Sequence, residues 1–371
     1  MSVGAAEDSA KAPSLAVAKA KMDLAKLAGL EAIRITAQWR TGKTAPTPGE
    51  LAGLANAVDA ADLDGITVYL SVYPFGSSVT PLTAAARAEF VSYATALARA
   101  LPTVQRFIVG NEPNLNRFWM PQFSKRGVDV AAPAYEAMLA QAYDALKAVS
   151  PSITVIGGAL SPRGNDSVMS RKHSPTTFIR DLGLAYRRSG RTRPIMDEFS
   201  LHPYLDNSSV PPSFAHPRTT TISLADYPKL VALLGRAFDG TAQTGSALPI
   251  VYDEFGVQSR IPSGKATLYT GLAPRTDRPV TEAIQGEYYA EALALAACQP
   301  TVAALLIFHV SDESNLGRWQ SGVFYADDQP KSSLGPFRAA ALDARAGRVP
   351  LCGKAAGHRA AAASGKLPEH R

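Results

Sequence analysis

Apolar residues along the chain recur at two alternating spacings. Short runs of β-branched and aromatic residues are typical of buried strands, and in the longer segments between them apolar residues return every three or four positions, as on one helix face. The short runs predict eight strands, at residues 2–5, 32–37, 66–73, 104–111, 153–159, 195–202, 250–255 and 302–310. The longer segments predict eight helices, at residues 15–29, 49–64, 82–100, 135–149, 177–189, 224–238, 281–297 and 334–346.

The strands are almost continuously apolar, which is typical of a parallel sheet that helices cover on both sides. Eight strand–helix units predict an α/β protein with a single (β/α)₈ TIM barrel over residues 1–352. A doubly wound open sheet is the alternative, because periodicity cannot show that a sheet closes. The barrel is favoured because polar side chains lie at or near the ends of several strands, which a barrel gathers at one mouth: Arg34, Glu112, His202, Glu254 and His309.

The connections that follow strands are longer than those that follow helices. They cover about 112–134, 161–176, 203–223, 256–280 and 311–333, whereas the turns at 101–103 and 299–301 are brief. Long loops at the C-terminal ends of barrel strands build binding clefts. We therefore expect a cleft at that mouth.

Composition excludes several classes of protein. Apolar residues make up 46% and charged residues 19% of the chain, as in an ordinary globular protein. No apolar run approaches the roughly 18 residues of a membrane span. The net charge of +6 is concentrated in residues 338–371, which hold seven basic and two acidic side chains. Nucleic acid is therefore not an expected partner; we expect a monomer with a flexible, basic C-terminal tail at 353–371.

Two of the predicted strands end at a glutamate. The fourth ends in Phe107-Ile108-Val109-Gly110-Asn111-Glu112 and the seventh in Ile250-Val251-Tyr252-Asp253-Glu254. A carboxylate at the tip of a buried strand needs water, a hydrogen-bond donor or a substrate beside it. Two such tips at one mouth predict paired carboxyl groups, which are the groups that cleave glycosidic bonds. At about 5 Å apart, one would be a nucleophile and configuration would be retained.

These residues resemble clan A glycoside hydrolases, which are retaining (β/α)₈ enzymes. The resemblance follows strand order over nearly the whole chain and is sharpest at Gly110-Asn111-Glu112-Pro113-Asn114 and Tyr252-Asp253-Glu254-Phe255-Gly256. It implies a hydrolase of a β-linked carbohydrate, without cofactor or metal. Glu112 would be the acid/base, Glu254 the nucleophile and Asn111 the ligand of the sugar 2-hydroxyl.

Other positions match the same clan. Arg34 resembles the arginine that orients the nucleophile, and a fixed cation beside Glu254 would favour its carboxylate form. His202 and Tyr204, in Leu201-His202-Pro203-Tyr204, resemble the clan's aromatic or histidine position near the nucleophile. Residues 321–331 resemble the lead-in to the last helix.

The chain departs from the clan at the end of the eighth strand. Clan members usually have a tryptophan there as a platform for the sugar, whereas this chain has Phe308-His309-Val310. Trp319, Trp39 and Trp119 are therefore candidates for the platform. His309 is either a ligand of sugar hydroxyls or a core histidine.

Each glutamate also has a structural interpretation. Asn111-Glu112-Pro113 could begin a helix, with Asn111 as its cap, and Glu254 could pair with an arginine. Their joint position on strands four and seven favours catalysis. Alternation should turn Asp253 to the face opposite Glu254, and Asp312 and Glu313 should be solvated in a loop.

Two alternatives belong to other functional classes. A transglycosylase or a non-hydrolytic carbohydrate-binding barrel would use the same cleft. More remotely, residues 37–44 (Ala-Gln-Trp-Arg-Thr-Gly-Lys-Thr) fit a loose P-loop pattern for nucleotide binding. Trp39 and Arg40 would crowd such a loop, and Pro46 and Pro48 would break the helix that must follow it.

The two cysteines bear on localisation. Cys298 and Cys352 follow the last two predicted helices, so they lie at the same end of the barrel. They either form a disulfide, which would favour a secreted or periplasmic protein, or remain free thiols, as in a cytoplasmic one. The first residues show no signal peptide, so export would need a leader that precedes this sequence. The histidines show no His-x-x-x-His metal spacing.

Overall fold

The computed structural model describes residues 1–349 and contains every predicted element. The strands are β1 Ser2–Ala6, β2 Ala32–Trp39, β3 Thr67–Pro74, β4 Arg106–Val109, β5 Thr154–Leu160, β6 Glu198–Leu201, β7 Ile250–Phe255 and β8 Val302–Phe308. The α-helices are α1 Leu15–Leu27, α2 Pro48–Asp64, α3 Ala84–Ala100, α4 Ala131–Val149, α5 Pro175–Ser189, α6 Tyr227–Phe238, α7 Glu282–Ala297 and α8 Leu334–Arg345. Cys352 and the predicted tail at 353–371 lie outside the described residues, so the disulfide and the domain boundary stay predictions.

The eight strands form one closed parallel barrel. Each strand pairs with the next in chain order, and β8 returns to pair with β1 through Gly4 and Leu306. The predicted TIM barrel is therefore confirmed, and the open sheet is excluded. No helix within residues 1–349 is long and apolar enough to cross a membrane.

Local signals in the sequence begin or end several of the helices. A serine or threonine side chain caps the first turn of five helices by accepting a backbone N–H: Ser14, Thr47, Thr83, Ser174 and Thr281. Gly65 and Gly190 end α2 and α5 in the left-handed conformation. These caps set where each helix turns the chain back toward the next strand.

The alternation of strand side chains produces two cores. The larger one fills the layer between strands and helices. The smaller one fills the barrel interior and consists of Ala32, Tyr69, Ile108, Ile156, Ala159, Val251, Ala304 and Leu306. Space inside is tight, because a Cβ on Gly4 would lie 2.5 Å from the carbonyl oxygen of Ala32. The barrel is therefore a packed column, and a ligand can enter only at its mouth.

The chain after β4 differs from the prediction. The strand stops at Val109 because Gly110 has a φ of 101° and Glu112 a φ of 40°, which end the extended backbone. The next helix, α4, begins at Ala131, four residues before its predicted start and well after this motif. Asn111 is thus not a helix cap, and the helix-start interpretation of this motif is wrong.

Residues 37–44 do not form a phosphate-binding loop. Trp39 is fully buried and packs edge-on against Phe90 of α3, with ring centroids 5.8 Å apart. Helix α2 begins at Pro48 rather than at Lys43 and Thr44. The backbone N–H groups of a helix start, which such a loop needs for phosphate, are therefore not present at these residues.

A buried ion pair joins the loops that follow β7 and β8. Lys331 Nζ donates to Asp312 Oδ1 over 2.7 Å and to Ser259 Oγ over 2.9 Å, and Tyr269 Oη donates to the other oxygen of Asp312 over 2.7 Å. The prediction that Asp312 is solvated is wrong. Lys331, 19 residues later in the chain, lies beside Asp312 and pairs with it in the protein interior. Glu313 remains partly exposed.

Replacing Lys331 by alanine should destabilise the protein by about 3–5 kcal/mol, because Asp312 would keep a buried charge without its partner. Denaturant unfolding measures the loss. Lys265→Ala is the matched control, since it breaks a half-exposed pair with Asp327 in the same loops and should cost no more than about 1 kcal/mol. Equal losses in the two variants would contradict the structural role of the buried pair.

Candidate active site

The two glutamates predicted to converge lie beside the same ring nitrogen of one histidine. Glu112 follows β4, Glu254 is in β7, and His202 follows β6. His202 Nδ1 lies 3.2 Å from Glu112 Oε1 and 3.4 Å from Glu254 Oε2. Because both distances start at the same nitrogen, the two carboxylate oxygens are at most about 6.6 Å apart, the sum of the two. Both side chains keep some exposure at the mouth, 16% for Glu112 and 13% for Glu254.

An unusual backbone turn aims Glu112 at this position. Gly110 adopts a positive φ, and a Cβ there would lie 2.8 Å from the ring of Tyr135. Glu112 itself adopts a positive φ, and its N–H donates to the carbonyl oxygen of Ala159 at the end of β5 over 2.8 Å. Non-glycine residues held in this region cost about 1 kcal/mol or more, and they cluster at functional sites.

Arg34 and Tyr204 hold Glu254. Arg34, which is 2% exposed on β2, donates from Nη1 to Glu254 Oε1. Its other terminal nitrogen donates to Asn111 Oδ1 over 2.9 Å and to Ser71 Oγ over 3.2 Å. Tyr204 Oη donates to Glu254 Oε2 over 3.1 Å. Each oxygen of Glu254 therefore has a fixed donor, and the residues predicted around it are together.

Asp253 also belongs to this cluster, although the sequence predicted the opposite face. It is fully buried, accepts a hydrogen bond from Ser200 Oγ, and lies 3.3 Å from both His202 Nε2 and Arg34 Nε. These last two contacts are ion pairs rather than aligned hydrogen bonds. The prediction is wrong because the β7–β8 register shifts between Tyr252 and Phe255, and such a shift breaks the alternation of side chains.

The ring of His202 has a carboxylate on each side. Nδ1 faces Glu112 and Glu254, and Nε2 faces Asp253. Burial alone would lower the pKa of His202, but the negative charges of Glu254 and Asp253 outweigh it and raise the pKa to about 10. Burial alone would raise the pKa of Asp253, but the positive charges of His202 and Arg34 outweigh it, so the pKa of Asp253 is lowered. The dyad of Asp253 and His202 is therefore an ion pair at neutral pH.

Of the three candidate tryptophans, one reaches the cluster. Trp319, from the loop after β8, is partly exposed and stacks against Tyr204 with ring centroids 4.9 Å apart. Trp119 is 1% exposed and packs edge-on against Tyr135 of α4. Trp119 and the equally buried Trp39 lie under the helices, so neither indole ring presents a face to a ligand.

His309 lies at the rim beside the cluster. Its Nδ1 is 2.7 Å from the carbonyl oxygen of Ala6, and its ring packs on Phe308 with centroids 3.7 Å apart. Phe308 in turn contacts Trp319 edge-on at 5.4 Å. His309 thus packs on Phe308, which in turn contacts Trp319, and stays partly exposed.

Sequence reasoning missed Arg163, which no motif marks. It lies in the loop after β5 and donates from Nη1 to the carbonyl oxygen of Tyr204 over 3.1 Å. Its side chain is 41% exposed and lies 3.6 Å from the half-exposed Asp206. Within residues 1–349, no group of three or more His, Cys, Asp or Glu side chains is placed to hold a metal ion.

The barrel is similar to those of solved glycoside hydrolases. A GH5_18 structure from Streptomyces cattleya in complex with GlcNAc matches with a TM-score of 0.61 and 15% identity over 93% of this chain and 80% of that one. A monomeric β-xylosidase from Caulobacter crescentus matches with a TM-score of 0.56 and 17% identity, over 91% of this chain and 67% of that one. Bacteroides uniformis β-glucuronidase 2 matches with a TM-score of 0.58 and 14% identity, over 91% of this chain and 35% of that one. This chain therefore spans about a third of the length of that protein.

At these identities the likeness shows a shared (β/α)₈ fold. No protein-family model matches the chain, and no curated protein matches its sequence.

Replacing Asp253 by asparagine should lower the pKa of His202 toward the ordinary value of about 6.5, because one of its anionic partners is removed. Nitrogen-15 NMR of histidine-labelled protein, assigned with a His202→Gln variant, measures this titration. Ser200→Ala is the matched control, because it removes a hydroxyl from Asp253 without changing any charge. A His202 that already titrates near pH 6.5 in the unmodified protein would contradict the ion pair.

Proposed function

We propose that this protein is a retaining glycoside hydrolase that cleaves a β-linked carbohydrate through a covalent glycosyl-enzyme. The observation that carries the proposal is the pair Glu112 and Glu254, whose oxygens face one histidine at the barrel mouth and lie within about 6.6 Å of each other. Retaining enzymes hold their carboxyl groups about 5 Å apart, whereas inverting enzymes need about 6.5–9.5 Å to admit a water molecule. The upper limit here favours the retaining class.

The contacts divide the chemistry between the two carboxyl groups. Glu254, held on both oxygens by Arg34 and Tyr204, would attack the anomeric carbon as the bond to the leaving oxygen breaks. Glu112 would give its proton to that leaving oxygen. It would then take a proton from the water that releases the sugar from Glu254.

Neighbouring groups suit the charge that develops. Arg34 occupies Asn111 Oδ1, so the amide nitrogen of Asn111 can donate to the sugar 2-hydroxyl. The positive charge of His202 lies next to both carboxyl groups and would stabilise Glu112 after it has lost its proton. Tyr204 and Trp319 would form the aromatic wall for the sugar ring.

The solved structures with the same fold support this reaction class. They include a β-xylosidase, a β-glucuronidase and a GH5_18 protein in complex with GlcNAc. Their sugars differ, so they support glycosidic cleavage as the common chemistry without naming the sugar for this chain.

Glu254→Ala should reduce turnover of every aryl glycoside on the order of 10⁴-fold or more, because no covalent intermediate can form. Glu112→Ala should cost about 10²–10⁴-fold on an alkyl glycoside but much less on a dinitrophenyl glycoside, whose leaving group needs no proton. A panel of aryl and alkyl β-glycosides, assayed first for any turnover, measures both.

Glu198→Ala is the control for these variants, since Glu198 pairs with Arg106 at the opposite end of the barrel strands. It should leave the leaving-group dependence unchanged. If Glu112→Ala loses the same factor on both kinds of substrate, Glu112 is not the acid.

Retention predicts the β-anomer as the first product from a β-glycoside. Proton NMR during the first minutes, before the sugar equilibrates in water, measures the anomer. An initial α-anomer would mean inversion and would exclude the covalent role of Glu254.

A further inference from the structure

Positive charge is concentrated at the mouth of the barrel. The eight loops that follow the strands are 7–14, 40–47, 75–83, 110–130, 161–174, 202–226, 256–281 and 309–333. Together they hold 16 lysine and arginine residues and 12 acidic residues, whereas the remainder of residues 1–349 holds 18 basic and 19 acidic ones. The mouth therefore has a net charge of +4 and the rest of the barrel −1, and the loops after β4 and β5 contribute six basic and three acidic residues to that mouth.

Three acidic residues of these loops, Asp129, Asp166 and Asp226, bind partners within the protein. Asp129 lies 3.2 Å from the buried His173, and Asp166 accepts the backbone N–H and the hydroxyl of Ser174. Asp226 is buried and accepts hydrogen bonds from His216 and Ser223. These carboxylates are committed to holding the loops, so they do little to offset the charge that faces solvent.

Five of the exposed cations lie in the two paired loops after β4 and β5, the first of which contains Glu112, and we call these five the basic ridge. It consists of Arg117, Lys125, Arg126, Arg171 and Lys172. They come from the loops after β4 and β5, which pair at Leu115 and Lys172. Asn114 fixes the same two loops by donating to the carbonyl oxygens of Ser161 and His173.

The basic ridge is held in place but is not neutralised. None of its five side chains forms an ion pair with another described residue between positions 1 and 349. Exposed cations that a protein fixes beside a cleft, without anions of its own, attract anionic ligands and steer them inward.

Arg163 continues this charge from the ridge to the reacting groups. It belongs to the loop after β5, and its side chain is 41% exposed. Its Nη1 donates to the carbonyl oxygen of Tyr204, and the same nitrogen lies 3.6 Å from the half-exposed Asp206. The hydroxyl of Tyr204 donates to Glu254. A guanidinium that is anchored through one nitrogen keeps its other donors for a carboxylate or sulfate.

We propose that the substrate is an anionic glycan, which lies along the basic ridge with one of its linkages between Glu112 and Glu254. The inference rests on the proposed glycosidase function and names its substrate class. Carboxylate or sulfate groups on successive sugars would meet the ridge, and Arg163 would bind the group nearest the scissile linkage. A neutral glycan would leave these cations unused.

Affinity electrophoresis with two polymers of the same β-glucan backbone tests the charge requirement. Carboxymethyl cellulose carries carboxylates, and hydroxyethyl cellulose is neutral. A third polymer, dextran sulfate, tests whether sulfate groups bind as carboxylates do. Glu112→Gln protein prevents cleavage during the run. We expect retardation by the anionic polymers alone, and its loss between about 0.02 and 0.3 M salt as the charges are screened.

The triple variant Arg126→Glu, Arg171→Glu, Lys172→Glu should weaken this binding by about tenfold or more. Two matched variants carry the same change of charge elsewhere. One reverses Arg99, Arg188 and Arg236, exposed on helices α3, α5 and α6, and the other reverses Lys354, Arg359 and Lys366 near the C-terminus. Both should retain binding to within about twofold.

Several outcomes would overturn the substrate class. They are equal retardation by the neutral polymer, a ridge variant that binds like the unmodified protein, a C-terminal variant that loses binding as strongly, or single-stranded DNA that binds as tightly as the glycans.

A cleavage assay, which measures the release of reducing ends, distinguishes failure of the substrate proposal from failure of the hydrolase proposal. Faster cleavage of neutral polymers refutes the anionic substrate alone, and no cleavage of any polymer or aryl glycoside refutes the hydrolase.

Discussion

A single buried cation, Arg34, organises the cleft. Its guanidinium contacts Ser71, Asn111, Asp253 and Glu254, which come from three other parts of the barrel. An unpaired charge in such a place would cost several kcal/mol, so these partners have to be brought to it when the protein folds. Only a closed barrel places the ends of β2, β3, β4 and β7 around one side chain. The position of the nucleophile candidate is thus tied to barrel closure itself.

The cluster around Arg34 has an odd charge count. Arg34 and His202 supply two positive charges, and Glu112, Asp253 and Glu254 supply three carboxyl groups. Asp253, fully buried, is committed to His202, and Glu254 is held by Arg34 and Tyr204. Glu112 has the fewest fixed partners and the greatest exposure of the three. It is therefore the carboxyl group best able to exchange a proton with a ligand, as acid/base chemistry requires.

The strand ends and the loops contribute different kinds of residues to the cleft. Strand ends hold the groups proposed to break and form bonds, because a barrel strand fixes a side chain more precisely than a loop does. The loops are fastened by buried polar contacts, such as Lys331 with Asp312 and Asn114 with Ser161, and can carry exposed charge without losing shape. Under the proposed function, this arrangement would let the loops select a substrate by charge while the strand ends keep the same chemistry.

The sequence by itself determined the order of eight strands and eight helices, the mouth at which their polar ends meet, and the convergence of Glu112 with Glu254. Hydrophobic periodicity and helix caps are local properties, so they can be read without the fold. The tertiary structure alone decided that the register shift of β7 turns Asp253 toward His202, and that Lys331 returns to Asp312. It also decided that Trp319, rather than Trp39 or Trp119, reaches Tyr204. The direction of a side chain at a strand end or in a loop depends on neighbours that are distant in sequence, and no local pattern records them.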